Sequence, residues 1–539
     1  MRTSRDIVIV GGGHNGLVAA CYLAKAGRKV TVLERLDQLG GAAVSAPAFP
    51  GVDARLSRYS YLVSLLPKRI IDELGLDLTL VRRRYSSYTP EPGTTRGLLI
   101  DNQDAAATSA SFHALGAGAD AAAWDDFYSR TASLARALFP TVTEPLLTRR
   151  EARSAVRDDA LWDAFLERPI GDVIETTFQN DLVRGVALTD ALIGTFSPAH
   201  DTTLAANRCF LYHVIGNETG DWDVPVGGMG AVTTTLADTA HRAGATLITG
   251  AEVTSITPDG EVHYVHNHRE QSLAGTVLAN VAPVVLERLV AVSTGSSTPA
   301  TGTTAGARTA SDSEKSLSPY GGGAQVKVNL MLTRLPRLRD TAIDPAAAFG
   351  GTFHINETYS QLQTAYDTAS AGRIPDPLPA EIYCHSLSDP SILSHELQLA
   401  GAHTLTVFAL HTPDRLLTDE TNDAMRGHLQ SAVLASLNSV LGEPIEDVLM
   451  VDANGAPCVE TKTTRDLEDT LRMPGGNIFH GPLSWPFAED DTELETPAQR
   501  WGVATRWDGI LLCGSGAQRG GAVSGLGGHN AAMAVLEND

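Results

Sequence analysis

The chain has 539 residues, of which 43% are hydrophobic, 19% charged and 6% aromatic, so it can bury more than one core and is neither a fibre nor a disordered tail. Its 41 basic and 63 acidic residues leave a net charge of −22, which repels phosphate backbones and argues against nucleic-acid binding. The five cysteines (Cys21, Cys209, Cys384, Cys458 and Cys513) form no Cys-x-x-Cys pair, which argues against a dithiol redox centre and fits a reducing, cytoplasmic setting. No run reaches the ~18 apolar residues that suggest a membrane span. The short apolar stretch after Arg5 ends at once in glycines rather than continuing as a signal peptide. A transmembrane segment is therefore not expected, while peripheral membrane contact stays open.

Asp6-Ile-Val-Ile-Val10 is the β-branched run of a buried parallel strand. A helical pattern follows from Leu17 to Lys25, then Gly27 as a stop and a second strand, Lys29-Val-Thr-Val-Leu33, ending on Glu34. The intervening turn, Gly11-Gly12-Gly13-His14-Asn15-Gly16, matches G-x-G-x-x-G. In such a turn the first glycine permits the bend, the second lets a pyrophosphate approach the backbone, and the third lets helix and strand pack closely. The helix N-terminus offers free amides to the phosphates, and Glu34 sits where a carboxylate can accept both ribose hydroxyls. An acid at that place suits NAD and FAD equally.

Beyond Arg35 comes Leu39-Gly40-Gly41-Ala42-Ala43-Val44, then Phe49-Pro-Gly51 and Ser57-Arg-Tyr-Ser-Tyr-Leu-Val-Ser-Leu-Leu66. These segments resemble the FAD-binding flavoproteins that include phytoene desaturases, amine oxidases and the GDP dissociation inhibitors. Within them the chain looks most like the phytoene-dehydrogenase-related branch. The resemblance implies an α/β fold in which a Rossmann-like FAD domain is assembled from discontinuous segments, 1–78, 224–292 and 500–539. An inserted α+β substrate domain would comprise 79–223 and 293–499.

Further along, Asp223-Val-Pro-Val-Gly-Gly-Met-Gly230 opens a helix through Ala240, and strands follow at Thr246–Thr249, Gly250–Ile256 and Thr276–Asn280. The resemblance implies that the backbone at Val253 contacts adenine. Near the end, Gly509-Ile-Leu-Leu-Cys513 reads as a strand, Gly514-Ser-Gly516 as a turn, and Gly520 to Gly528 as a glycine-rich passage into a helix from His529 to Leu536. Here the resemblance implies contact with the ribityl chain near Gly514 and with the flavin ring near Val523, Ser524 and Gly525. The expected cofactor residues are thus Gly11, Gly13, His14, Asn15, Gly16, Glu34, Arg35, Gly40, Gly41, Ala42, Ala43, Val253, Gly514, Val523, Ser524 and Gly525, with the two chain ends meeting around one FAD.

Gly194-Thr-Phe-Ser-Pro198 and Phe210-Leu-Tyr-His213 resemble segments near the family's substrate cavity, and Ser293 to Pro319 reads as a flexible surface excursion. No metal site is expected: His263, His266 and His268 cluster beside Asn267, which suggests a hairpin tip without a further ligand. His213 and Arg519 are the candidate catalytic side chains. Phytoene desaturases usually carry His-Pro where this chain has Gln518-Arg519, and a guanidinium by the flavin would favour a polar or anionic group over a long polyene. The expected activity is an FAD-dependent dehydrogenase or desaturase acting on a largely apolar small molecule, with oxygen or a quinone as electron acceptor. Two alternatives stand beside it. A flavin amine oxidase is weakened by Ala42, where those enzymes usually place arginine. A non-catalytic prenyl- or lipid-binding protein on the same scaffold is weakened by the intact Gly11-to-Glu34 unit.

Overall fold

The computed structural model describes residues 5–61, 63, 65–220, 222–294 and 322–538. At its centre is a five-stranded parallel sheet in the order Ile510–Leu512, Thr276–Ala279, Ile7–Val10, Val30–Leu33, Thr246–Ile248. The first strand is central and fully buried, as its unbroken β-branched run requires. Strands that lie hundreds of residues apart in the chain pair directly: Val277 is in register with Val8 on one side and Ile510 on the other. The helix His14–Lys25 begins at the glycine motif itself rather than at Leu17 and packs against Met229–Arg242 and Leu526–Glu537. Sandwiched in this way, it buries ten of its twelve residues, His14 to Cys21 together with Leu23 and Ala24. The last helix likewise starts three residues before the expected His529.

A three-stranded antiparallel sheet, Ala251–Ile256, Glu261–His266 and Arg269–Ala274, lies at the edge of this unit. Asn267 and His268 are both left-handed, with φ of 51° and 61°, and make the tight hairpin turn between its last two strands.

The remaining sheet has seven strands in the order Val459–Lys462, Val326–Leu332, His403–Ala409, Ala380–Tyr383, Thr352–Ile355, Tyr85–Pro90, Gly97–Asp101. All its pairings are antiparallel except Thr352–Ile355 with Tyr85–Pro90. Helices between Ala105 and Val214 pack beside it, and their aromatic interior (Trp124, Phe127, Phe165, Phe210) is continuous with the core around Leu17 and Val18. One apolar cluster thus ties the parallel unit to the helical layer. Ser293 and Thr294 close the helix Pro283–Thr294, and the rest of the Ser293–Pro319 stretch lies outside the described residues. Among the described residues no helix is long and apolar enough to cross a membrane.

Candidate cofactor groove and adjoining chamber

The three motif glycines do different physical work. Gly11 is left-handed (φ 101°), and a Cβ there would lie 2.6 Å from the Asn280 carbonyl oxygen. A Cβ on Gly16 would lie 2.4 Å from the Gly11 carbonyl oxygen, so close packing of helix on strand forbids one. Gly13 is not strained; its nearest neighbour to a Cβ would be Asn280 Nδ2 at 3.3 Å, which leaves its vacant side open to the groove. No side chain caps the helix at Gly13, so its first amides remain available to an anion. Glu34 is held in place by two backbone amides, Gly12 N–H at 2.8 Å and Leu36 N–H at 2.8 Å, one on each oxygen. Each oxygen keeps a second lone pair for a ribose hydroxyl.

The C-terminal passage closes against this turn. His14 Nε2–H donates to the Ala522 carbonyl at 3.0 Å, and Asn15 Nδ2 lies 3.5 Å from both Ser515 Oγ and the Gly520 carbonyl oxygen. A Cβ on Gly528 would fall 1.9 Å from the Asn15 carbonyl oxygen. The chain ends therefore share one wall.

Between them runs a groove of about 400 Å³. Of the expected residues, Gly11, Gly13, His14, Glu34, Arg35, Gly41, Ala42, Val253 and Val523 line it. Asn15, Gly16, Gly40, Ala43, Gly514, Ser524 and Gly525 lie behind the surface and shape it; the Ser524 hydroxyl, for example, accepts the Leu526 amide at 3.2 Å at the start of the last helix. His213 lines the groove with its ring 5.6 Å from Trp222 and 6.4 Å from Phe479. Its Nδ1–H donates to the Cys209 carbonyl at 2.8 Å, and burial lowers its pKa to about 4, so it is neutral at pH 7. Arg519 does not reach the groove. Its buried guanidinium donates to the carbonyls of Thr141, Glu144 and Trp501 at 3.0, 2.8 and 3.2 Å, which makes it a tether of the C-terminal loop. Arg519 therefore gives no preference for a polar or anionic group over a polyene.

Sequence reasoning missed several lining residues. Lys327 is buried, its Nζ donating to the carbonyls of Ser57 and Tyr59 at 2.7 Å each, and burial pushes its ammonium well below the usual range. Tyr59, Tyr61, Trp222, Phe408 and His480 complete that wall. The available signal was Gln325, Lys327 and Asn329, polar residues at period two in an otherwise apolar strand, which puts all three on one face.

A second cavity of about 820 Å³ adjoins the groove, and His213 and Trp222 line both. Its walls carry Arg83, Tyr128, Asp190, His354 and Glu381. Arg83 donates to Thr352 Oγ1 at 3.2 Å while its buried Nε has no partner. Burial raises the Asp190 carboxyl to about 6 and the Glu381 carboxyl to about 8.

A family model described as an NAD(P)-binding Rossmann-like domain matches residues 9–67. The uncharacterized protein Rv0897c of Mycobacterium tuberculosis is 54% identical, covering 98% of this chain and 97% of its own. Pyridine nucleotide-disulfide oxidoreductase domain-containing protein 2 of Mus musculus is 29% identical, covering 100% of this chain and 94% of its own. Among solved structures, putrescine oxidase bound to putrescine superimposes with a TM-score of 0.53 at 16% identity, covering 99% of this chain and 98% of that one, which is a likeness of fold.

Proposed function

The chain belongs to the same family as its Mycobacterium tuberculosis relative and is an FAD-dependent oxidoreductase; from that premise we propose a dehydrogenase or desaturase that takes a hydride from a largely apolar small molecule. The observation that carries this reading is the single groove lined by both chain ends, with Gly13 and His14 on one side and Ala522 and Val523 on the other. The residues fit the cofactor: the groove has glycine backbone at its phosphate end, a carboxylate fixed by two amides at its ribose end, and a buried His480 Nδ1 without a partner in its wall.

Gly11 to Gly16 and the uncapped helix start would hold the pyrophosphate, Glu34 the ribose, and the backbone at Val253 the adenine side. Gly41, Ala42 and the Ala522–Val523 loop would lie along the flavin. When bound, FAD supplies the hydride acceptor at N5. The protein's own part is to position a C–H bond and exclude water. Ile193, Phe408, Ile478, Phe479 and Val523 give the groove an apolar end suited to that role. Neutral His213, shared with the larger cavity, stands where a proton could be passed as the hydride leaves. Oxygen or a quinone would then take the electrons. The 79–223 and 293–499 segments would form the substrate domain, consistent with the seven-stranded sheet lying wholly within them.

The test is an anaerobic screen of isoprenoids, amines and acyl compounds for bleaching of the flavin band. Bleaching by an isoprenoid or acyl compound is the expected result, whereas bleaching by amines alone would favour an amine oxidase. A colourless protein that FAD cannot reconstitute would overturn the reading in favour of a lipid-binding role.

A further inference from the structure

We propose that His354, Glu357 and Glu381 form a binding site for one divalent transition-metal cation in the wall of the larger cavity. Strands Thr352–Ile355 and Ala380–Tyr383 are antiparallel with His354 directly opposite Glu381, so both side chains stand on one face of the sheet. Asn356, left-handed at φ 58°, turns the chain so that Glu357 comes back to His354, with Glu357 Oε2 2.8 Å from His354 Nδ1. Helix Asp181–Thr189 locks that turn, since a Cβ on Gly185 would lie 1.8 Å from the Glu357 carbonyl oxygen. One donor atom from each of the three residues lies within 4.8 Å of the others, and all three residues are buried.

The unmet valence at this place points to a ligand. Glu357 Oε1 is buried with no hydrogen-bond partner, and among the described residues neither glutamate is ion-paired to a lysine or arginine. Glu381 is oriented on both oxygens, by Thr189 Oγ1 at 3.0 Å and the Tyr383 hydroxyl at 2.5 Å, the kind of outer partner that fixes a metal-binding carboxylate. A buried carboxylate oxygen without a partner is costly, and a cation would offset that cost. One imidazole and two carboxylates suit Mn²⁺, Fe²⁺, Co²⁺ or Zn²⁺ better than an all-oxygen Ca²⁺ site or a thiolate site. Metal–donor bonds of ~2.1 Å put cis donors ~3 Å and trans donors ~4.2 Å apart, so the three donors, which lie within 4.8 Å of one another, draw together on binding. His354 and Glu381 also line the cavity, which leaves open positions of the metal facing it, where water or an oxygen of a cavity ligand completes the shell.

The experiment uses full-length protein stripped with a chelator and titrated with Co²⁺ or Mn²⁺ alone. Calorimetry should give one cation per chain, and pulsed EPR of the Mn²⁺-loaded protein should show coupling to one histidine nitrogen. His354→Ala and Glu357→Gln should each weaken binding at least ~tenfold. Glu381→Gln, with folding checked by circular dichroism, gives an independent third measurement. His266→Ala, in the exposed hairpin, should change nothing. Absence of stoichiometric binding by the wild type, absence of nitrogen coupling, or a cation lost with His266→Ala instead of His354→Ala would overturn the proposal. Flavin content, measured alongside, reports separately on the cofactor reading.

Discussion

The cofactor groove and the larger cavity share His213 and Trp222 as a common wall, yet they are built from different materials. At its phosphate and ribose end the groove is made of main chain: glycines that pass within a Cβ's reach of other backbone, helix amides, and one carboxylate fixed by amides. The cavity is made of ionisable side chains, Arg83, Asp190, His354 and Glu381, of which Arg83, His354 and Glu381 are held by hydrogen bonds to neighbouring side chains. A main-chain site tolerates added atoms at few of its positions but is indifferent to pH. A side-chain site changes its charge with pH.

Buried histidines depart from that pH indifference and give the largest expected effect; three of them, His14, His213 and His480, stand in the groove wall. Burial lowers His14, His213, His480 and His529 to about 4, and His385 and His411 to about 3. In each case the folded pKa lies below the unfolded value near 6.5, so below that pH the unfolded chain binds more protons. The stability these groups contribute is whole above pH 6.5 and is lost as pH falls toward 4. Each group withdraws about 1.4 kcal/mol per pH unit in that window. Asp190 and Glu381, raised by burial to about 6 and about 8, work in the opposite sense, so the six histidines leave a smaller net loss, still on the scale of a typical stability of ~5–15 kcal/mol by about pH 4.5. Tryptophan fluorescence should therefore show cooperative unfolding above about pH 4.5; a chain still native at pH 4 would contradict the burial of these rings.

Gly528→Ala is next in size. The new methyl would meet the Asn15 carbonyl, which is backbone and cannot rotate away, so the contact between the first and last helices must open. A loss of at least ~3 kcal/mol is expected in urea denaturation, at the upper end for overpacking. Gly427→Ala is the control: it sits exposed in the helix Asn422–Val440 with nothing near a Cβ, and should gain ~0.5–1 kcal/mol. Equal effects at the two positions would mean that the chain ends do not pack as described.

The same difference of material explains what could be read from the sequence. Gly11, Gly13, Gly16 and Glu34 were legible because a main-chain site demands particular residues at fixed spacing. The meeting of Gly520–Gly528 with the first helix was legible only through a family resemblance, since no local pattern pairs segments 500 residues apart. Arg519 was misjudged for a related reason: its place in the glycine loop puts it near the groove in sequence, while its guanidinium points into the carbonyls of Thr141, Glu144 and Trp501. Lys327 and the His354–Glu381 pair escaped notice because strand register places them, and Glu357 because the left-handed turn at Asn356 returns it to His354. A lysine in one strand and a histidine opposite a glutamate in two others carry no signal until the pairing is known.

Gly13→Asp separates cofactor binding from folding. Gly13 is unstrained, and an added Cβ would need only a small shift of the Asn280 amide, so the fold should survive with little loss. The carboxylate, however, would enter the groove at the uncapped helix start, where it competes for the amides that would hold a pyrophosphate. Flavin content after purification should fall at least ~tenfold, corresponding to ~1.4 kcal/mol or more of binding energy, with the thermal transition of the apoprotein unchanged. Normal flavin content would show that the phosphates lie elsewhere.

The smallest effect tests the seam between the two regions. Tyr212, on the helix Ala205–Val214 that also carries His213, accepts the Gly521 amide on its hydroxyl at 2.9 Å. This is a direct link from the helical layer to the loop that would lie along the flavin. Tyr212→Phe removes the acceptor and leaves a buried amide unpaired, at a cost of about 1 kcal/mol. If that bond only stabilises the fold, denaturation shifts while flavin affinity stays constant. If it also sets the loop against the cofactor, affinity measured by fluorescence quenching on FAD titration should weaken about threefold to tenfold. The second outcome is expected because Ala522, one residue beyond the tethered amide, both lines the groove and accepts the His14 ring, so a loosened loop loses its alignment with the opening glycine turn.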